Sequence, residues 1–259
     1  MIRKLYRQMV PEKLRLQFHI AFRKLKAARL KGDEFFCPCC GNSSSKFLAK
    51  GNGITLRQNA ECAHCGSLER TRLLYLYLQN ETSIFSGSPK VLHFAPETIL
   101  KEKLSPNPNY IDVDINPNFA SVAMDITDIQ FPDSHFDYII CSHVLGHIPD
   151  EQKAISELYR VLKPGGNLFL LSLLDQKLDK TIEKDNTELS PQKKLEIYGE
   201  SDLERLYGQD FAARISQPEV SVERIDYRRN FSAAEREKMA LGDGNREIIY
   251  KVVRKAFSS

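Results

Sequence analysis

The chain reads as an α/β protein built on a parallel, doubly wound sheet, and three observations predict it. Between residues 90 and 173, strand-like and helix-like patterns alternate in order, which in one sheet means parallel strands joined by helical crossovers. The first strand-like run, Val91-Leu92-His93-Phe94, stops at Ala95-Pro96-Glu97. A helix is expected from Pro96, since proline suits a first helical turn and an acid suits its positive end. Further on, Lys163-Pro164-Gly165-Gly166 separates a helix of 3.6-residue period from another strand. Strand, tight turn and helix form the entrance to a nucleotide-binding unit, although no glycine run marks it here.

Composition sets the limits. At 259 residues, with 42% hydrophobic and 27% charged residues, the chain has room for one such domain and a small accessory module. No apolar run reaches the roughly 18 residues of a membrane span, and the N-terminus lacks the apolar core and cleavage site of a secretion signal. It is basic enough to leave a transit peptide as the minor alternative. The net charge of +3 is unevenly spread: residues 1–31 hold ten Lys/Arg and one acid, so the remainder is mildly acidic. An acidic body argues against a broad nucleic-acid-binding face. Six cysteines with no secretion signal point to a reducing, cytosolic compartment, and to metal rather than disulfides.

Residues 1–32 form a basic segment in which an amphipathic helix is expected over 12–30. Pro11 stands near its start, and Leu14, Phe18, Phe22 and Leu25 recur at helical spacing. The favoured expectation packs this stripe on the body of the protein and leaves a solvated basic face. The rival expectation docks it on an anionic membrane surface, with the protein peripheral at the inner face.

Residues 33–80 carry Cys37-Pro38-Cys39-Cys40-Gly41 and Cys62-Ala63-His64-Cys65-Gly66. Each Cys-x-x-Cys pair precedes a glycine that gives the turn room to aim both sulfurs at one point. Four thiolates, Cys37, Cys40, Cys62 and Cys65, converging in this way make a closed tetrahedral zinc (Zn2+) site. Cys39 is then the spare, and His64 a substitute ligand that the set does not need. A closed site is structural, and its binding energy would hold a segment with little apolar sequence of its own. Residues 67–80 are expected to be a largely buried helix.

The main domain is assigned to residues 81–259. Its expected strands are residues 90–94, 110–114, 122–124, 136–141 and 167–173, with helices over 96–104 and 151–162. Residues 175–200 have no clear period and are expected to be a surface excursion over the ligand site. A helix is expected over 202–213, and residues 220–227 and 247–253 as two strands closing one sheet edge. In such a sheet the ligand lies beyond the carboxyl ends of the strands. That picks out Phe94, Ala95 and Pro96, then Asp114, whose carboxylate suits the two hydroxyls of a ribose. It also picks out Asp125 and Ile126, suited to an adenine edge, and Cys141, Ser142 and His143.

The segment from Val91 to Leu173, which holds these residues, resembles class I S-adenosylmethionine-dependent methyltransferases. The similarity rests on Asp125-Ile126-Thr127-Asp128-Ile129-Gln130-Phe131-Pro132-Asp133-Ser134-His135-Phe136-Asp137, on Cys141-Ser142-His143-Val144-Leu145-Gly146-His147-Ile148, and on Glu157-Leu158-Tyr159-Arg160-Val161-Leu162-Lys163-Pro164-Gly165-Gly166. More narrowly, the chain resembles a bacterial subfamily in which a four-cysteine module ending in Cys65-Gly66-Ser67-Leu68-Glu69-Arg70 precedes Leu92-His93-Phe94-Ala95-Pro96-Glu97. A C-terminal marker of that subfamily has its counterpart between Tyr198 and Phe211.

The resemblance implies a Rossmann-like seven-stranded sheet with an antiparallel last strand, preceded by a small zinc-ribbon-like module and the basic helix. It implies S-adenosylmethionine contacts at His93, Phe94, Ala95, Pro96, Glu97, Asp114, Asp125 and Ile126, with Cys141 and Ser142 beside the reactive methyl. Should the acceptor need a base, His147 and His143 are the candidates; Cys141 reads as pocket wall. The expected acceptor is a small molecule or glycan, in keeping with the subfamily's association with cell-surface polysaccharide assembly. An RNA methyltransferase and a non-catalytic S-adenosylmethionine-binding protein are the rivals. Two departures stand out. His93-Phe94-Ala95-Pro96-Glu97 replaces the usual glycine-rich turn, and Gly146 with Leu203-Glu204-Arg205 replaces residues expected to face substrate.

Overall fold

The computed structural model describes residues 12–51, 55–184 and 189–256. Pro11 and the part of the predicted basic segment before it lie outside the described residues.

Helix α1 (Glu12–Arg29) forms where expected, with Lys26 and Arg29 in its last turn complementing the helix dipole. Its apolar stripe is not packed on the body, however. Leu14, Phe18, Phe22 and Leu25 are 40–58% exposed, which corrects the favoured expectation. The helix is held through its opposite side, where the small Ala27 is buried and Arg23 reaches Glu61 at 3.6 Å.

Two short antiparallel pairs follow, β1 (Phe35–Phe36) with β2 (Ser43–Ser44), and β3 (Leu48–Gly51) with β4 (Leu56–Glu61). Helix α2 (Glu69–Glu81) then turns Leu73, Leu74, Tyr77 and Leu78 into the interior. Arg72 on this helix is fully buried and donates to the carbonyl oxygens of Ala60, Ser67, Met239 and Ala240. A buried guanidinium needs that many acceptors, because each unmet N–H would cost on the order of 1–3 kcal/mol.

The main sheet comprises β5 (Val91–Phe94), β6 (Tyr110–Asp114), β7 (Val122–Ala123), β8 (Phe136–Ser142), β9 (Leu162–Leu171), β12 (Val220–Ile225) and β13 (Ile249–Arg254). Its spatial order is β7-β6-β5-β8-β9-β13-β12; the first five run parallel, and β13 is antiparallel to both β9 and β12. A parallel sheet has to be covered on both faces. One cover is α4 (Glu151–Val161), whose Ala154, Ile155 and Leu158 join a core with Leu92, Ile139 and Leu170. The other combines α2 with α3 (Thr98–Leu104), through Leu74, Leu78 and Leu100 against Val91, Ile140 and Phe169. The seven-stranded, Rossmann-like architecture with its antiparallel strand is therefore as expected.

Several local expectations change. The helix after β5 begins at Thr98 rather than Pro96, since Ala95, Pro96 and Glu97 are spent on the turn. Lys163-Pro164-Gly165-Gly166 does not interrupt β9 but sits in its first half, where the pairing with β8 slips in register and Gly165 takes φ +77°. The stretch read as periodless contains α5 (Pro191–Tyr198), capped by the Ser190 side chain and a left-handed Gly199. It also contains β10 (Ile182–Glu183), which pairs with β11 (Arg205–Leu206). The helix expected over 202–213 shrinks to α6 (Phe211–Ile215), because Arg205 and Leu206 are taken by that ribbon. Helix α7 (Ala233–Lys238), with a Ser232/Glu235 capping box, lies between β12 and β13.

Glu247, just before β13, is buried and accepts N–H bonds from Gly244 and Arg246. Burial, which outweighs those bonds, pushes its carboxyl up to about 7. A folded-state value above the unfolded one stabilises the fold fully below the unfolded value, and that stabilisation is lost as pH rises through the folded value. Wild-type stability is thus expected to lose this contribution between about pH 4.5 and 7, a window that Glu247→Gln removes. Chemical denaturation across that window should show a flatter profile for the variant; parallel profiles would disprove the assignment.

Candidate functional site

The carboxyl ends of β5, β6 and β8 surround a cleft of about 540 Å³, within the size range of small-molecule sites. Of the residues singled out from sequence, Phe94, Ala95, Asp114, Asp125, Ile126, His143 and His147 line it. Ile115, Asn116, Phe119, Met124, Val144, Ile148 and Asp202 complete the wall. The others stand elsewhere. His93 is fully buried in β5, with Nδ1 3.0 Å from the Tyr110 hydroxyl and Nε2 3.2 Å from Glu97. Cys141 and Ser142 are buried behind the cleft, and Pro96 and Glu97 line a neighbouring depression beside Cys65 and Thr71. His93 therefore does not reach the cleft and meets Glu97 instead.

Backbone geometry explains how the missing glycines are managed. Ala95 has φ +46° and His143 φ +58°, so both strand ends flanking the cleft use the left-handed region. The turn after β5 keeps the conformation that glycine would supply and accepts the cost of a Cβ, about 1 kcal/mol. The proline following it does not substitute for that conformation. Ala95→Gly is accordingly expected to raise stability by up to about 1 kcal/mol, unless chain entropy in the unfolded state offsets it. A loss above that magnitude in equilibrium unfolding would refute the strain.

The acids are held in position. Asp114 accepts the Asn116 N–H at 2.8 Å, and Asp125 accepts both N–H and hydroxyl of Thr127 at 2.8 Å, so neither carboxylate swings freely. Phe119 and Ile115 are exposed at the rim, where apolar side chains offer faces to a planar ring. Sequence reading missed both; the clue was their position just after the acid ending β6.

Charge is unevenly distributed around the cleft. Burial raises the Glu97 carboxyl, but the His93 hydrogen bond and the charges of His93 and Arg70 outweigh it and leave the group below its ordinary range. Burial, with Arg70 and Arg246 nearby, drives His143 well below the usual imidazole range. A carbonyl oxygen only accepts, so His143 Nε2 donates to Arg246 O at 3.0 Å and His147 Nδ1 donates to Asp202 O at 3.2 Å. That leaves Nε2 of His147 with the lone pair.

The segment after β8 is fastened by Arg205, which is almost fully buried and donates to the carbonyls of Leu145, Ile148 and Pro149. The two departures expected to face substrate meet each other instead. A Cβ on Gly146 would stand 2.8 Å from the Leu203 side chain, which is buried there beside Tyr207. Leu203 fills the space a larger residue at 146 would take.

The four thiols named as metal ligands converge. The sulfurs of Cys37, Cys40, Cys62 and Cys65 all lie within 4.8 Å of one another, at 3.6 Å for Cys37–Cys65 and 3.9 Å for Cys40–Cys62. A tetrahedron with Zn–S of about 2.3 Å has sulfur edges of about 3.8 Å, so the donor set fits zinc. The two loops are alike: Gly41 N–H donates to Cys37 O and Gly66 N–H to Cys62 O, with φ +71° and +80°. Cys39 turns away toward Thr71 O, and His64 stands outside the cluster among the described residues.

Residues 65–170 match the family described as a methyltransferase domain. The ubiquinone/menaquinone biosynthesis C-methyltransferase UbiE of Psychromonas ingrahamii is 42% identical over 60 residues, 23% of this chain and 24% of that protein. Its counterpart in Pseudomonas fluorescens is 36% identical over 61 residues, 24% of each chain. The chain thus spans about a quarter of the length of the curated relatives it matches. Among solved structures, the YcgJ protein of Bacillus subtilis superposes with a TM-score of 0.47 at 17% identity, covering 71% of this chain and 98% of that one. A SAM-dependent methyltransferase from Archaeoglobus fulgidus gives 0.45 at 16%, covering 71% and 93%.

Proposed function

Because the chain carries a class I S-adenosylmethionine-dependent methyltransferase domain, we propose that it moves a methyl group from S-adenosylmethionine to a small-molecule or glycan acceptor. The observation that carries this reading is the cleft itself, with Asp114 and Asp125 fixed at successive strand ends and apolar residues between them. Two of the buried polar atoms without a hydrogen-bond partner among the described residues, Glu97 Oε1 and Ser142 Oγ, stand near it. Such atoms next to a cleft fit a ligand bearing an ammonium and hydroxyl-matching groups. When bound, S-adenosylmethionine supplies a sulfonium whose methyl leaves on in-line attack.

The chain's own task is alignment, which accounts for most of such a rate. Asp114 would accept the ribose hydroxyls, Asp125 and the Ile126 backbone the adenine edge, and Phe94–Glu97 the amino-acid end. His147 is the better general base. It lines the cleft with a free lone pair, whereas the depressed His143 takes up a proton poorly. The four-cysteine cluster would hold zinc as a closed structural site.

The exposed stripe of α1 favours a peripheral position at an anionic membrane face, in keeping with a role in cell-surface polysaccharide assembly. No helix among the described residues is long and apolar enough to cross a membrane. Co-sedimentation with phosphatidylglycerol vesicles should fall strongly in a Phe18→Asp/Phe22→Asp protein; equal pelleting would remove the membrane role.

The transfer reading is tested by equilibrium binding of S-adenosylhomocysteine, followed by radiolabelled methyl transfer to extracts of small molecules and glycans. No binding at near-millimolar ligand would sink it. Binding with no labelled product across acceptors would instead favour the non-catalytic rival.

A further inference from the structure

A second depression of about 310 Å³ opens beside the cleft and shares Asp202 with it. Four of its lining residues are cations: Lys50, Arg57 and Arg70 from the cysteine-bearing segment, and Arg246 from before β13. Three of them already have carboxylate partners, Lys50 with Glu61 at 3.1 Å, Arg57 with Glu69 at 2.9 Å and Arg246 with Glu200 at 2.8 Å. Arg70 has none within ion-pair distance among the described residues; the charges of Glu97, Glu69 and Glu200 act on it from further off, and its buried Nε meets no hydrogen-bond acceptor. A guanidinium left this way beside an open depression is costly unless a ligand completes it.

We propose that this depression binds an oxyanionic group of the methyl acceptor, a phosphate or a carboxylate, with Arg70 and Arg246 as its anchors. A guanidinium matches such a group bidentately. The wall shared through Asp202 lets an acceptor anchored there reach toward His147 in the neighbouring cleft. The charges of both arginines act across that wall, since each lowers the His143 imidazole, that of Arg246 against the raising effect of its own carbonyl's hydrogen bond. Of the carboxylates lining the depression, Glu200 is paired with Arg246. Asp202 stands at the rim, 3.6 Å from His147 Nδ1, with its side chain 75% exposed, where water screens it. The cysteine-bearing segment is then part of substrate recognition as well as a structural brace.

This proposal rests on the transferase reading, and the experiment separates the two. Calorimetry on the full, metal-loaded chain first measures S-adenosylhomocysteine and 5′-methylthioadenosine, then inorganic phosphate and acetate titrated into the S-adenosylhomocysteine complex. Failure of S-adenosylhomocysteine to bind would remove the transferase reading. With it bound, phosphate or acetate is expected to saturate a single site. Arg70→Met and Arg246→Met should each weaken that binding at least about tenfold, the loss of one charge-assisted contact. Both should leave S-adenosylhomocysteine affinity within about twofold. The proposal is overturned if neither anion saturates, or if anion affinity survives Arg246→Met. It is also overturned if Arg70→Met weakens S-adenosylhomocysteine while sparing 5′-methylthioadenosine and the anions, because Arg70 would then serve the cofactor's own carboxylate. Should Arg70→Met lose its metal, Arg246→Met, which lies outside the cysteine-bearing segment in sequence, decides alone.

Discussion

Cys62→Ser is expected to reduce bound zinc from about one per chain to near zero, measured by elemental analysis of purified protein. Structural zinc in small modules contributes on the order of 10 kcal/mol, comparable to the whole stability of an ordinary domain. Loss of one thiolate should therefore lower the unfolding midpoint sharply and expose the segment around β1–β4 to protease. Cys39→Ser is the control. Cys39 points at Thr71 O and stands outside the four-sulfur cluster, so the variant should keep its metal. Full metal content in Cys62→Ser would refute the ligand set.

The second large effect belongs to Asp114. If its carboxylate accepts two ribose hydroxyls, Asp114→Ala removes two charge-assisted bonds of about 1.5 kcal/mol or more each. S-adenosylhomocysteine affinity should then fall about 100-fold or further. Asp114→Asn, which keeps one acceptor oxygen, should lose less. Calorimetric titration of the three proteins gives the order directly, and equal affinity of wild type and Asp114→Ala would exclude the ribose contact. Stability should barely move, since the carboxylate lies at a strand end where its partner is the Asn116 N–H.

Much of the fold was legible because its signals are local. The strand at Tyr110–Asp114 and the helix at Glu151–Val161 follow from alternation and from a 3.6-residue period. The paired cysteines were equally plain, since the spacing and the following glycines are themselves the site's geometry. What was misread depends on contacts distant in sequence. The stripe of α1 looks like a core face by period alone, and only the bonding of Arg23 and the burial of Ala27 show that the helix sits the other way round. Pro164-Gly165 reads as a break because nothing local says that β8 will absorb the slip in register. In the site, acids at strand ends were visible, but Asp202 comes to the cleft from a segment that carries no period. Arg70 ends the Cys65–Arg70 motif, yet the unmet Nε is a property of its folded surroundings.

The buried Arg72 has a consequence for how the chain is made. Two of its four carbonyl acceptors, at Ala60 and Ser67, are neighbours in sequence, but the other two, at Met239 and Ala240, lie 167 and 168 residues further on. A ribosome delivers the second pair only after the 167 residues that separate Arg72 from Met239 have been made. Until then the guanidinium is half-satisfied, so the N-terminal segment is expected to stay loosely closed on the nascent chain. It would lock only when the stretch carrying Met239 and Ala240 arrives, which ties closure of the cysteine-bearing segment to residues made far downstream of it.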